Sequence, residues 1–332
     1  MTRVIIAKNV NHALGDGFQW LKVAGVDEES RAGPVRVAQG PVITEYLYPT
    51  QRVLFNAKRD ANPVFHLLES IWMLAGGSNS SFLLPYNARM AEYSEPDGKI
   101  HGAYGYRWRQ AFALDQITEI VGELRRNPDS RQCVMQMWSA ELDLAISKKD
   151  RPCNTHIYFD CRRNAFGHRV LGMTVCCRSN DALWGAYGAN AVHFSILQEL
   201  MAAAIGVGVG TYRQVSNNFH AYKEVPCAKD FLENPPVIDE YWRYPRFTVP
   251  LLAVGENYLD FLTDCEDMAL GKFSIPWKTN FFRTVVSPLK TTYDARKAGS
   301  RVWKETMNDI VECDWKLAFT EWTERREHSV SK

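Results

Sequence analysis

The sequence predicts an α+β fold. Strand-like and helix-like segments interleave without strict βα alternation, three strand candidates lie between residues 131 and 177, and a long apolar helix comes next. The chain has 332 residues and 46% hydrophobic content, enough for a large core. No repeat, low-complexity tract or Pro/Gly/Ser linker divides it, and length alone allows one large domain or two ordinary ones.

The first clear element is a buried helix from Asn62 to Leu74. Asn62 can cap it, Pro63 suits its first turn, Gly76 and Gly77 stop it, and Val64, Leu67, Leu68 and Ile71 form its apolar stripe. Residues 114–126 read as an amphipathic helix on Ile117, Ile120, Val121 and Leu124, and residues 127–130 as a turn. Arg131 to Trp138 is the first strand candidate. In the second, His156 to Cys161, Ile157 and Phe159 face inward and Tyr158 and Asp160 outward. The third, Val170 to Cys177, is nearly all apolar, as suits a sheet centre. Ala191 to Ile205 then predicts a long buried helix ended by Gly206, and Thr211 to Ser216 another strand. Beyond Pro226 the signals weaken; Tyr258 to Leu270 and Val302 to Leu317 are expected to be helical, and residues 226–332 mainly so.

Composition excludes several classes. With 39 basic and 38 acidic residues the formal charge is +1, which gives no broad footprint for nucleic acid or an anionic membrane. None of the eight cysteines forms a CxxC pair, so zinc-ribbon and thioredoxin signals are absent and no metal is expected. Residues 1–13 lack a secretory pattern, and no apolar run reaches the roughly 18 residues of a membrane span. Free thiols in a reducing cytoplasm are the expectation, the host cytoplasm if the source is viral.

Four groups of residues could carry chemistry. Cys153, in Arg151-Pro152-Cys153-Asn154 just ahead of a strand, is either a nucleophile whose thiolate nearby arginines stabilise or a small buried filler. Glu69 sits mid-helix among Phe65, Leu68, Trp72 and Met73; it is either a carboxyl with a raised pKa, fit for proton shuttling, or the partner of Lys58 or Arg59. Arg131, Arg178 and Ser179 together would make an anion clamp, since guanidinium forks match phosphate oxygens and a hydroxyl adds a donor. His220 and Tyr222 point the same way from an extended segment, toward a sugar hydroxyl or simply into a core.

In this order the pieces resemble the thymidylate synthase superfamily, most closely from Lys58 to Tyr222. Glu69-Ser70-Ile71-Trp72-Met73-Leu74 with Gly76 and Asn79 is similar to the family's ELLWFL-x-G-x-x-N helix, and residues 103–109 to VYGxQWR. Asp129-Ser130-Arg131 resembles DSRR, Pro152-Cys153 resembles PCH, Arg178 to Asp181 resembles RSxD, and Asn218 to Tyr222 resembles DxHxY. The resemblance implies that Cys153 attacks C6 of a pyrimidine nucleotide and that 5,10-methylenetetrahydrofolate delivers one carbon to C5. It implies that Glu69, aided by Tyr104, organises water and protons. Arg178 and Ser179 would hold the 5′-phosphate with Arg131 reaching across from a second subunit, Arg31 would match a mobile phosphate arginine, and His220 and Tyr222 would hold the 3′-hydroxyl. Asp181 would bind the pterin. The resemblance also implies a single catalytic domain over residues 1–332, a mixed β-sheet flanked by helices, and a homodimer joined through sheet faces.

The departures from the pattern matter as much. Asn154 replaces the histidine after the nucleophile, and Gln132 the second arginine of the phosphate turn. Met90 and Tyr93 stand where the family has two tryptophans beside the folate, and Glu327 to Lys332 lack its apolar closing tail. One of those indoles shields the exocyclic methylene intermediate from water, so a thinner shield leans toward a 5-hydroxymethyl product, of the kind used for modified pyrimidines in viral DNA or nucleoside antibiotics. Asn190 is the nearest match to the base-reading asparagine, one position late. Asn190 and Asn154 are adaptable amides, so dCMP and dUMP both stay open. The competing expectations are a C5 methylase that releases dihydrofolate and a nucleotide- or RNA-binding relative without catalysis.

Overall fold

The computed structural model describes residues 2–148, 150–237, 239–242, 248–273 and 276–330. The chain opens with β1 (Arg3–Ala7), α1 (Val10–Ala24), β2 (Gly25–Ser30), β3 (Gly33–Ala38) and β4 (Val42–Tyr46). Next come α2 (Pro63–Leu74), the short α3 (Met90–Tyr93) and α4 (Tyr104–Arg109), and α5 (Gln116–Arg126). The middle holds β5 (Val134–Gln136), β6 (Asn154–Arg163), β7 (Arg169–Cys177) and β8 (Asn180–Asp181), then α6 (Asn190–Ile205), β9 (Gly208–Ser216) and β10 (Phe219–Tyr222). Five helices complete it: α7 (Pro226–Glu233), α8 (Tyr258–Ala269), α9 (Ser287–Lys297), α10 (Trp303–Thr306) and α11 (Asp314–Val330).

The strands form a mixed six-stranded sheet of order β1-β4-β9-β7-β6-β5 and a four-stranded sheet of order β2-β3-β10-β8. Strand register separates the large sheet into two faces. The row Met135, Ile157, Val175, Gln214, Thr44 and Ile5 is buried throughout. Its neighbour, Val134, Tyr158, Thr174, Arg213, Glu45 and Ile6, is exposed or half-buried. The period of two puts one face on the core and leaves the other uncovered in the single chain. α6 covers the inner face against β7 and β9, and α2, α5 and α8 pack around it. Gln198 of α6 donates to the carbonyls of Leu171, Gly210 and Thr211, where the β7–β9 register shifts. A buried amide thus satisfies the carbonyls that the bulge leaves without ladder partners.

The predicted helices begin and end where local chemistry says. Asn62 Oδ1 accepts from the amides of Val64 and Phe65, and Gly206 closes α6 with a φ of 85°, a backbone that glycine adopts without strain. The predicted strand 131–138 shrinks to β5, because Gln116 takes the amide and carbonyl of Gln136 and the next two amides both turn to Thr155 O. The helix expected over Val302 to Leu317 is broken. Ile310 is extended, Val311 N donates to Thr284 O, and α11 starts afresh at Asp314, whose side chain accepts from Trp315 N. Helix α11 continues through Glu327 to Val330; the last two residues of the predicted polar tail lie outside the described residues. Among the described residues no helix is long and apolar enough to cross a membrane.

Candidate active site

Strand pairing brings the nucleophile candidate and the arginine together. Cys153 precedes β6, its carbonyl accepts from Arg178 N at 2.8 Å, and the register shift just after Asn154 frees the side chain from the ladder. Arg178 then curls over the thiol. Its Nε donates to Pro152 O at 2.9 Å, its Nη2 to Arg151 O at 3.0 Å, and the same Nη2 lies 3.8 Å from Cys153 Sγ. Trp138 lies under the guanidinium, 5.6 Å from ring centroid to carbon. Cys153 lines a cleft of about 700 Å³ that also meets Glu69, Tyr104, Ser179, Asp181 and Asn190. An adjoining pocket of about 390 Å³ shares Arg31, Ser179 and Tyr222 with the cleft and adds Arg178 and His220. The exposed Arg31 and Arg178 offer two guanidinium groups there, beside the carboxylates of Glu28 and Glu29 on the same wall.

Burial pushes the Cys153 thiol up from its ordinary value; Arg178 and Arg31 pull it down without offsetting that, and Asp150 adds to the rise. Arg178 and Arg31 thus act toward the thiolate, the direction expected of nearby arginines, but burial outweighs them. Glu69 is buried at 8% exposure, and its partner is neither Lys58 nor Arg59. Lys58 pairs with Asp230 and Arg59 donates to Leu183 O, while Glu69 Oε2 stands 3.1 Å from His193 Nε2 on α6. Tyr104 stacks on Phe194 at 5.9 Å; burial first, then the Cys153 charge, raise its pKa, and the Asn154 side chain opposes the rise.

Asn190 lines the cleft, but Asn154 does not: it is fully buried behind Asn190 and adds no second amide to the cleft wall. The two belong to a relay. Gln214 Nε2 donates to the backbone carbonyl of Ala186 at 3.0 Å, and Asn180 Nδ2 donates to Gln214 Oε1 and to Ser216 Oγ at 2.9 Å each. Asn190 Nδ2 donates to Asn180 Oδ1 at 3.0 Å, Asn154 Nδ2 to Asn190 Oδ1 at 3.3 Å, and the Cys177 thiol to Asn154 Oδ1 at 2.8 Å. A backbone carbonyl only accepts, so the Ala186 end sets the direction of every amide in the chain. Gly185 is required beside it, since a Cβ there would lie 2.5 Å from Asn180 Oδ1.

In the adjoining pocket, His220 Nδ1 meets Asn218 Oδ1 at 2.7 Å. Burial pushes the His220 pKa down although Asp181 opposes it, so the ring is neutral, Nδ1 carries the proton and Nε2 accepts. His220 and Tyr222 pack edge to face at 5.2 Å. Asp181 accepts from Trp184 N, and burial raises its pKa. Met90 and Tyr93 of α3 both reach the cleft. Arg131 is exposed at the turn before β5 and lines none of these spaces.

The chain matches the family model described as thymidylate synthase over residues 53–242. The chain belongs to the thymidylate synthase family. A Pseudomonas phage M6 protein named deoxyuridylate hydroxymethyltransferase is 40% identical over 98% of this chain and 94% of that protein. Proteins of the same name from Bacillus phage SP01 and Delftia phage PhiW-14 are 36% and 29% identical, covering 57% and 66% of this chain and 51% and 62% of themselves. The protein is thus an enzyme, a transferase of the thymidylate synthase family.

Several cleft residues of this family member escaped the sequence reading. Asp150 and His193 line the cleft, and so do the indoles of Trp72 and Trp184, the second with Arg89 5.2 Å over its ring. Trp184 follows Asp181 in an irregular helical turn over 182–189, interrupted at Tyr187 and Gly188, that carries no helix-like spacing. Asp150 is held by Gly102 N, and burial raises its pKa. Its proximity to an RPCN segment was the one available signal.

Proposed function

We propose that the protein transfers a one-carbon unit to C5 of deoxyuridine monophosphate and releases the 5-hydroxymethyl nucleotide. The amide relay behind Asn190 carries the choice of base. Uracil offers an N–H at position 3 and an acceptor at position 4; cytosine offers the reverse. An asparagine free to turn over serves both, but one whose amide is set by the Ala186 carbonyl serves one. The relatives named for deoxyuridylate support uracil as that one. The same names, and Met90 and Tyr93 on the cleft wall, support hydroxymethyl rather than methyl.

In this reading Arg178, Arg31 and Ser179 hold the phosphate in the adjoining pocket, and neutral His220 accepts from the 3′-hydroxyl at Nε2 while Tyr222 lies beside it. Cys153 attacks C6 as a thiolate, which makes C5 nucleophilic; the nearby guanidinium lowers the cost of that charge. Glu69 and Tyr104 handle protons on the same wall. The cleft wall combines the indoles of Trp72 and Trp184 with the buried Asp181 carboxyl, a fit for a flat hydrogen-bonding heterocycle such as the pterin of methylenetetrahydrofolate. That co-substrate supplies carbon at the oxidation level of formaldehyde. The uncovered face of the large sheet, with Tyr158, Val134, Val4 and Ile6 exposed, fits a homodimer in which Arg131 reaches the partner's phosphate pocket. The phage relatives fit action in a host cytoplasm.

The alternative is a C5 methylase, favoured by the indoles that still line the cleft. Mass spectrometry of dUMP and dCMP incubated with enzyme and methylenetetrahydrofolate decides. A CH2O gain on dUMP alone is expected; a CH2 gain with dihydrofolate absorbance would make it a methylase, and consumption of dCMP instead would overturn the base.

A further inference from the structure

His193 has no role in the mechanism so far, yet it is one of the most buried polar groups in the cleft wall. It lies on α6 with 2% exposure, one turn past Asn190, and faces Glu69 of α2. The two side chains approach to 3.1 Å, but neither atom completes a hydrogen bond. Among the described residues, Glu69 Oε2, His193 Nε2 and His193 Nδ1 are all buried without a partner. Buried polar atoms in that condition bind ordered water. Glu69 also borders a second cavity of about 480 Å³ that meets Asn62 and His66, so solvent reaches the carboxylate from there as well. His66 packs edge-on to His193 at 6.4 Å, and burial holds it neutral. The imidazole at 193 therefore has one strong candidate for orientation, the carboxylate, and one space to share with it, the cleft.

We propose that His193 is a positioning residue that sets Glu69, and a water held against both on the cleft side, for addition to the exocyclic methylene of the C5-modified pyrimidine. This rests on the hydroxymethylase reading. In the step, the water oxygen bonds to the methylene carbon and its proton passes to the Glu69 carboxylate. The methylene π pair moves onto C5 and the C4 carbonyl; that charge then re-forms the C5–C6 double bond and expels the Cys153 thiolate from C6. No oxidant or reductant is needed, and the water is the only added reactant.

The role separates the two halves of the reaction. Loss of the C5 hydrogen reports carbon transfer, and hydroxymethyl formation reports water addition. With dUMP tritiated at C5, wild-type enzyme should release tritium and form product in a ratio near one. His193→Ala should still release tritium while the product ratio falls about tenfold or more, well inside what general-base catalysis contributes. The stalled methylene should appear as a thioether when 2-mercaptoethanol is added. His193→Gln, which keeps a donor at similar reach, should recover part of the ratio. A ratio that stays near one in both variants, whether activity is kept or both signals fall together, overturns the proposal, because a merely structural histidine lowers both halves alike. Wild-type enzyme that releases no tritium from dUMP would instead remove the hydroxymethylase reading itself.

Discussion

Replacing Gln214 by leucine should weaken discrimination between dUMP and dCMP without touching any group that meets the base. Gln214 is fully buried on β9 and lies two amides behind Asn190. Turning Asn190 over alone would set its Nδ2 against Asn154 Nδ2 and its Oδ1 against Asn180 Oδ1. Two buried hydrogen bonds would be lost, about 2–6 kcal/mol at 1–3 kcal/mol for each unsatisfied group. The cheaper route turns all the amides together, and then the cost falls on the anchor, where Gln214 Oε1 would face the Ala186 carbonyl. That is one misplaced pair, about 1–3 kcal/mol, or about 5–150-fold in population. Gln214→Leu removes the anchor, so the ratio of kcat/KM for dUMP over dCMP should fall by about that factor. The assay is a competition of both nucleotides at equal concentration, read by mass spectrometry, with a thermal melt to confirm folding. Gly185→Ala, which crowds Asn180 Oδ1, should shift the ratio in the same direction. A folded Gln214→Leu enzyme with an unchanged ratio would show that the base is read by something other than amide orientation.

Other outcomes follow from the site and its supports. Cys153→Ser should abolish turnover and leave dUMP affinity within a few-fold, since the residues proposed to hold the phosphate line the adjoining pocket; calorimetric loss of binding would assign the thiol a structural role. Because burial raises the Cys153 pKa, its iodoacetamide labelling, read on the isolated peptide, should keep rising with pH through about 9 rather than level off near 7. Arg178→Ala should slow that labelling at each pH and weaken nucleotide binding, and unchanged rates would remove Arg178 from the thiol's surroundings. Burial lifts Asp314 from 3.8 to about 6. A carboxyl with a raised folded-state pKa is not penalised below pH 4 and is fully penalised above pH 6, so its ionisation costs about 3 kcal/mol at pH 7. Asp314→Asn, whose one amide oxygen can keep the bond from Trp315 N while its NH2 faces the Tyr241 hydroxyl as a donor, should raise Tm at pH 7 and leave it nearly unchanged at pH 4. An equal shift at both values would contradict the linkage.

The elements that were legible are those whose signals are local. Asn62 and Pro63 announce the start of α2 by their own chemistry, and the alternation of β6 and the apolar run of β7 carry their burial in sequence. The first 57 residues carry little such signal beyond Asn9, which caps α1 by accepting from the amides of Asn11 and His12 and was not read. The β2 sequence GVDEES is mostly exposed and acidic, and it is a strand because β3 pairs with it. Helix α1 contains Gly15 and Gly17, and its stability comes from packing against β1, α7 and the turn before α6. The site divides the same way. Cys153, Arg178, Ser179 and Asp181 were legible as a motif on adjacent strands. The partner of Glu69 was not, because His193 lies 124 positions away on a helix that reads as apolar core. Nor was the ion pair of Arg107 with Asp143, which fixes α4 and so Tyr104. There burial would raise the Asp143 pKa, but the Ser139 amide and the Arg107 guanidinium outweigh it.

That distribution explains what residues beyond 226 do for the chemistry. All twelve residues of α2 are buried, an unusual condition for a helix that carries a carboxylate on a cleft wall. α6 and α4 cover it on the side of the sheet, and α8, α9 and α11 pack on it as well. Tyr293 of α9 stacks at 6.0 Å on Trp322 of α11 and at 5.4 Å on Tyr86 ahead of α3. The C-terminal helices therefore clamp both α2 and the approach to Met90 and Tyr93. A carboxylate buried in this way cannot swing to solvent, so its protonation partner has to be built in or delivered by water. The only buried polar side chain within 4 Å of it among the described ion pairs is His193. The rigidity of the C-terminal half and the unpaired imidazole on α6 are in that sense one arrangement: the first holds Glu69 still, and the second gives it a partner for water on the cleft side.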